Sequence, residues 1–182
     1  MPSPNQPLLE LLMSYHPENP GEQASKKDML NLLTQTEAPF SRSQFTPGHF
    51  TASSFVLSPD RGSVLLIFHS KLHRWLQPGG HVDPEDASIE AAARREVEEE
   101  VNIASLTPLL PEGGIFDLDI HPIPARKTEP EHAHFDVRFA FLAPSLAFLA
   151  GSDAVSARWV PLGETGDLQS DESVMRALRK LR

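Results

Sequence analysis

Three glutamates at helical spacing are the first feature of the sequence that points to chemistry. Glu96, Glu99 and Glu100 lie in a strongly helical stretch. At about 100° per residue, Glu100 lies roughly 40° and Glu99 about 60° from Glu96, whereas Glu98 falls nearly opposite. Carboxylates this close repel one another by a few tenths of a kcal/mol per pair. A cation between them therefore stabilises the helix.

The ligand type predicts which cation this is. Carboxylate oxygens, with the other positions left to water and phosphate, suit Mg²⁺ or Mn²⁺. Gly79 and Gly80 precede the helix, and their backbone can approach a ligand closely, so that a carbonyl completes the coordination. The alternative is an ordinary solvated acidic face. The combination of spacing, helix and glycine pair favours the metal site.

The helix that carries these carboxylates has clear start and stop signals. Asp86 or Ser88 can cap its N-terminus, and three consecutive alanines favour helix. Asn102 can adopt the left-handed conformation that ends it. An apolar stripe predicts that the helix lies on a sheet, and it consists of Ile89, Ala93 and Val97.

Strands are predicted on both sides of this helix. The patterns cover residues 50–57, 63–69, 75–82, 115–121, 134–142 and 154–160, with a turn at 58–62 and a last helix near 171–181. This order predicts an α/β (α+β) fold with a mixed sheet covered by helices.

The first 48 residues differ from the rest in being rich in proline and helical in pattern. Two amphipathic helices are predicted here, the second capped by Ser25. We divide the chain into an N-terminal arm, residues 1–48, and a main domain, residues 49–182. The arm is either a cap or dimer contact, or it packs on the same core.

Composition excludes several classes of protein. The 182 residues contain no cysteine, which excludes disulfides, thiolate metal sites and a cysteine nucleophile. The net charge of -9 argues against nucleic-acid binding and means that an anionic substrate needs help from a metal. Neither a targeting segment nor a membrane span is evident, so a cytoplasmic protein with no membrane partner is expected.

The stretch from Gly80 to Ile103 resembles the Nudix box, G-x5-E-x7-R-E-U-x-E-E-x-G-U, where U is a bulky apolar residue. Residues 95–103 match its second half, except that Asn102 replaces the final glycine. The first half is one residue longer, and its glutamate is replaced by Asp86, or by Ala87 when counted back from Arg95. We place the inserted residue in the loop before the helix.

The resemblance implies a Nudix-type α/β/α sandwich and a metal-dependent hydrolase of a diphosphate linked to another moiety. It implies that Glu96, Glu99, Glu100 and the Gly80 carbonyl hold Mg²⁺ or Mn²⁺, and that Arg95 orients Glu96. Arg95, Glu96 and Glu99 are the expected catalytic residues. The general base is either Glu96 or a later carboxylate, for which the candidates are Glu129, Glu131 and Glu164.

The expected substrate is a small nucleotide, with ADP-ribose or a nucleotide sugar first. Alternatives are (deoxy)nucleoside triphosphates, dinucleoside polyphosphates, and a nucleotide sensor without activity. Arg126 follows a predicted strand, and His134 and Arg138 lie on the polar face of another, which is either a cleft or an exposed face. The candidate substrate contacts are therefore His81, Arg126, His134 and Arg138. The apolar arm and the resemblance to ADP-ribose-type enzymes also predict a homodimer.

Overall fold

The computed structural model describes residues 5–70, 72–110, 114–150 and 156–182. Within these ranges an eight-stranded curled mixed sheet forms the centre, and helices cover it. The helices are α1 (Gln6–Ser14), α2 (Pro20–Gln35), α3 (Ile89–Val101) and α4 (Glu172–Arg179). The strands are β1 (Gly48–Leu57), β2 (Ser63–His69), β3 (Arg74–Leu76), β4 (Gly79–His81), β5 (Thr107–Pro108), β6 (Asp117–Ile123), β7 (His132–Leu142) and β8 (Ser156–Pro161).

Strand β1 is central and exchanges partners along its length. On one side it pairs in parallel with β7 from Gly48 to Leu57. On the other side it pairs antiparallel first with β4, at Thr51 to Ser53, and then with β2, at Val56 and Leu57. The Ser54 N–H donates to the Pro78 carbonyl between these two pairings. The glycine pair is thereby fixed beside the middle of the sheet.

The two faces of the sheet carry separate hydrophobic cores. One core joins the sheet to α1, α2 and α3, and the other joins it to α4. Alternation along β7 decides which side chains enter the first core, because successive residues of a strand point to opposite faces. The β7 side chains in that core are Phe135, Val137, Phe139 and Phe141.

The N-terminal helices pack on this same first core. Leu8 and Leu12 of α1 and Met29, Leu32 and Leu33 of α2 are buried in it together with the apolar residues of α3. The arm therefore packs on the same core as the main domain, and its role as a cap or dimer contact stays a prediction.

Several element boundaries differ from those predicted. Ser25 is not an N-cap, because α2 begins at Pro20 and Asn19 caps it by accepting from the Glu22 N–H. Proline is favoured at the first helical position, since its missing N–H needs no partner there. The predicted strand over 75–82 is two short strands, β3 and β4. Ala154 and Val155 lie outside the described residues. In the part of the chain that the structure describes, no helix is long and apolar enough to cross a membrane.

Candidate metal and catalytic site

Helix α3 is fixed at both ends and along its apolar face. Ser88 is the N-cap, and its hydroxyl oxygen accepts from the Ala91 N–H at 3.1 Å. Asn102 ends the helix at a φ of 57°, in the left-handed region. In the middle, the Ser54 hydroxyl of β1 donates to the Ala93 carbonyl at 3.1 Å. These contacts set the rotation of the helix against the sheet.

Two of the three predicted carboxylates contact the glycine pair. Glu100 Oε2 accepts from the Gly79 N–H at 3.0 Å. Glu96 lies so close to Gly80 that a Cβ at residue 80 would be 2.5 Å from Glu96 Oε1. Glycine at this position thus allows the close approach of backbone and carboxylate. Glu98 and Glu99 are both exposed, and the Glu99 carboxylate contacts Arg95.

Arg95 connects the carboxylates with the loop before the helix. Its Nε and Nη2 atoms both donate to Asp86, each at 3.0 Å, which makes a bidentate pair. Nη1 donates to Glu96 Oε1 at 3.0 Å and to Glu99 Oε2 at 3.2 Å. Nη2 also donates to the His81 carbonyl at 2.8 Å. Arg95 therefore holds the loop, β4 and two of the predicted ligands in one arrangement.

The site contains more carboxylates than cations, because the single guanidinium of Arg95 contacts Asp83, Asp86, Glu96 and Glu99. Burial raises the pKa of Glu96; the hydrogen bond and charge of Arg95 oppose this, and the charges of Glu99 and Asp83 add to it. Burial would also raise the pKa of Asp86, but the hydrogen bonds from Arg95 and from the Asp83 N–H lower it below its ordinary value. One guanidinium thus faces several carboxylates. The clustered carboxylate oxygens beside the backbone of Gly80 fit a hard divalent cation.

Arg138, predicted as a substrate contact, is instead enclosed by acidic residues on the other face of the sheet. Its side chain is 2% exposed. It donates to Asp136 at 3.0 Å and to Asp117 and Asp119 at 3.1 Å each. Because these partners already occupy the guanidinium, Arg138 serves the packing of β6 on β7.

A second set of polar contacts extends this ionic network to the N-terminal arm. Lys180 donates to Glu22 at 3.0 Å, Tyr15 donates to Glu22 at 2.7 Å, and Arg176 donates to Asp117 at 2.8 Å. Burial would raise the pKa of Glu22, but hydrogen bonds with Asp117, the Glu18 N–H, Tyr15 and Lys180 lower it to about 2. The arm and α4 are therefore joined through buried charges.

Of the remaining predicted contacts, His81 and His134 lie together, and Arg126 lies in a separate turn. Arg126 is exposed in a turn, where its backbone pairs with Glu129. His81 and His134 lie together, with ring centroids 5.2 Å apart, on the sheet face opposite α3. Burial, with the charges of neighbouring groups, lowers the pKa of His81 to about 4 and that of His134 to about 2. Both imidazoles are therefore neutral at pH 7.

Sequence reasoning missed two further features of the site. Asp86 was recognised as one replacement for the missing glutamate, but its bidentate pair with Arg95 was not. His49 and His132 were not connected with His134, although their rings lie 4.9 and 5.4 Å from it. These histidines meet because the register of β1 against β7 pairs His49 with His134, and the sequence pattern does not determine that register.

Comparison with protein families identifies the chain. The model of the NUDIX domain matches residues 48–180. The chain therefore belongs to the Nudix family and is a hydrolase that acts on phosphoanhydrides. Nudix hydrolases generally use a divalent metal. No curated protein matches the sequence.

Solved structures with the same fold include hydrolases of different substrates. A Nudix hydrolase from Clostridium perfringens is 22% identical, with a TM-score of 0.54 over 73% of this chain and 95% of its own. An Ap4A hydrolase from C. elegans is 22% identical, with a TM-score of 0.54 over 72% and 93%. The E. coli dihydroneopterin triphosphate pyrophosphohydrolase is 16% identical, with a TM-score of 0.55 over 72% and 92%. At these identities the likeness concerns the fold alone.

Proposed function

We propose that this chain hydrolyses the diphosphate of a nucleoside diphosphate linked to another moiety, with ADP-ribose or a nucleotide sugar as the first substrates. The observation that carries the proposal is the approach of Glu96 and Glu100 to the glycine pair, with Arg95 holding Glu96 and Glu99 in place. Glu96, Glu99, Glu100 and the Gly80 carbonyl would hold Mg²⁺, or Mn²⁺ in its place.

A cavity beside the loop before α3 supports a substrate with a nucleoside part. It has a volume of about 740 Å³ and lies between the N-terminal arm and the loop that contains Asp86. Leu8, Leu11 and Phe40 give it apolar walls, and Arg42, which donates to Asp83 at 2.8 Å, lies at its polar side. Cavities of about 300–1,000 Å³ with apolar walls and a few polar groups are typical of small-molecule sites.

The protein groups have separate roles in the proposed reaction. A bound divalent cation would neutralise phosphate charge and lower the pKa of the attacking water. Water attacks phosphorus, the bond to the bridging oxygen breaks, and one proton of the water passes to a carboxylate. Glu96 suits this role because burial raises its pKa. Glu129, Glu131 and Glu164 stay the alternatives for this role. Arg95 positions Glu96 throughout.

A substrate panel tests the proposal. ADP-ribose, nucleotide sugars, nucleoside triphosphates and dinucleoside polyphosphates are each incubated with Mg²⁺, Mn²⁺ or a chelator, and the products are identified by chromatography. We expect metal-dependent release of a nucleoside monophosphate from the first two classes. Turnover confined to either of the other classes would reassign the substrate, and nucleotide binding without any turnover would indicate a sensor.

A matched pair of variants tests the metal site itself. Glu100→Gln and Glu98→Gln make the same chemical change on the same helix, but only Glu100 faces the glycine pair. We expect Glu100→Gln to lower kcat/KM by about 100-fold or more, whereas Glu98→Gln leaves it unchanged. Equal turnover by wild type and Glu100→Gln would refute the assignment of the carboxylates.

A further inference from the structure

Three histidines meet on the sheet face opposite α3, away from the carboxylate site. His49, His132 and His134 each offer one ring nitrogen, and these atoms lie within 4.8 Å of one another. The parallel register of β1 and β7 places His49 beside His134, and His132 follows on the same face two residues away. His49 and His132 are buried, and His134 is partly buried.

Two of these imidazoles are held in the tautomer that a metal ligand requires. His49 Nδ1 lies 3.1 Å from the Gln44 carbonyl oxygen, and His132 Nδ1 lies 2.8 Å from the Pro130 carbonyl oxygen. A carbonyl oxygen only accepts hydrogen bonds, so each Nδ1 carries the hydrogen and each Nε2 presents a lone pair. Metal-binding histidines are commonly oriented by this kind of backbone contact.

His49 Nε2 provides a separate indication of a ligand. The atom is buried, yet among the described residues it has no hydrogen-bond partner. Leaving a buried acceptor unsatisfied costs about 1–3 kcal/mol. A bound ion would satisfy this lone pair, which faces neighbouring imidazoles and not water.

We propose that His49, His132 and His134 bind a transition-metal ion of the zinc class, separately from the Mg²⁺ or Mn²⁺ site. Imidazole nitrogens suit such ions, whereas carboxylate oxygens suit Mg²⁺ and Mn²⁺. Zn–N bonds of about 2.0–2.1 Å place tetrahedral ligands about 3.4 Å apart, so modest ring rotations complete the site. His81 and His121 adjoin His134, with ring centroids 5.2 and 5.5 Å from it, and are candidates for the fourth position.

The test measures metal binding directly, and its outcome does not depend on the proposed hydrolysis. The full-length protein is freed of metal with a chelator and titrated with Zn²⁺ by calorimetry in excess Mg²⁺, which occupies the carboxylate site. Co²⁺ replaces Zn²⁺ in a second titration, because its visible absorption reports the geometry of its ligands. We expect one Zn²⁺ per chain, a rise in Tm on binding, and an intense tetrahedral-type Co²⁺ spectrum.

Matched variants locate the site. His132→Asn retains a side-chain N–H for the Pro130 carbonyl but lacks the Nε2 ligand, and His49→Asn does the same for Gln44. His16→Asn, on an exposed histidine of the arm, is the control. We expect the first two to weaken Zn²⁺ binding by about 100-fold or more and the control to leave it unchanged.

The proposal is overturned by any of three results: no saturable Zn²⁺ binding by the wild type, binding that His132→Asn leaves unchanged, or binding that Glu99→Gln with Glu100→Gln removes. Circular dichroism verifies that each variant is folded. If His49→Asn does not fold, His132→Asn decides the question, since His132 lies near the start of β7 and next to a loop.

Discussion

Substituting the two neighbouring glycines of β4 by alanine should separate the stability of the fold from the integrity of the site. A Cβ on Gly80 would lie 2.5 Å from Glu96 Oε1 and 2.6 Å from Glu96 Cδ. A Cβ on Gly79 would lie 2.3 Å from Ser53 Cβ and 2.7 Å from the Ala52 carbonyl oxygen. The first clash is with the end of a side chain, and the second is with the central strand.

The two clashes differ in what can move to relieve them. Carbon and oxygen atoms settle at about 3.5 Å, so the Glu96 carboxylate must retreat by about 1 Å in Gly80→Ala. A displacement of this size in a catalytic arrangement lowers the rate by about 100-fold, while overpacking against a mobile side-chain end costs only about 1 kcal/mol. In Gly79→Ala, β1 and β4 must separate, which costs about 3 kcal/mol or more.

Urea unfolding and kcat/KM, measured on the same preparations, provide the assay. Gly163→Ala is the control, because a Cβ there has no neighbour within 4 Å. We expect Gly80→Ala to keep most of its free energy of unfolding and lose its activity, and Gly79→Ala to lose stability. The reasoning would be refuted if Gly80→Ala kept wild-type kcat/KM, or if the two alanine variants were equally destabilised.

Three further predictions concern the charged groups. Arg95→Lys should lower kcat/KM by more than about tenfold, because an ammonium cannot form the bidentate pair with Asp86; steady-state kinetics measures this. Arg138→Met should lower the free energy of unfolding by about 3–5 kcal/mol, because it leaves buried carboxylates without a compensating charge. Urea titration measures this change, and a loss below about 1 kcal/mol would contradict the prediction. The pKa of Glu22 is about 2 in the folded chain, below its ordinary value of 4.5, so this group contributes stability above about pH 4.5 that is lost as the pH falls towards 2. Glu22→Gln should therefore flatten the pH dependence of urea unfolding between pH 4.5 and 2.

The sequence predicts the carboxylate helix well because its signals are local. Ser88 and Asn102 bound the helix as expected, and the 3.6-residue period places Glu98 away from the other glutamates. The same local reasoning failed for α2. Ser25 followed by Asp28 resembles a helix start, but Asn19 is the N-cap and the helix begins six residues earlier than predicted. Where two capping signals compete, the sequence alone does not rank them.

Features that depend on strand register could not be predicted. The alternation in β7 indicates a polar face, but whether that face is a cleft, a surface or a buried network depends on which strands lie beside it. Asp117 and Asp119 of β6 meet Arg138 because β6 pairs antiparallel with β7. His49 meets His134 because β1 pairs in parallel with the other edge of β7. These contacts join residues far apart in the chain.

The departures from the Nudix pattern in the loop before α3 offset one another. Asp86 is one methylene shorter than the glutamate that the pattern contains, so at the same backbone position its carboxylate would not reach as far towards Arg95. The loop is one residue longer, and a residue can extend a chain by up to about 3.3–3.6 Å. Asp86 forms both hydrogen bonds to Arg95 at 3.0 Å, and the Asp83 N–H donates to Asp86 at 2.8 Å. With the longer loop, Asp86 reaches the guanidinium of Arg95, which also holds Glu96 and Glu99.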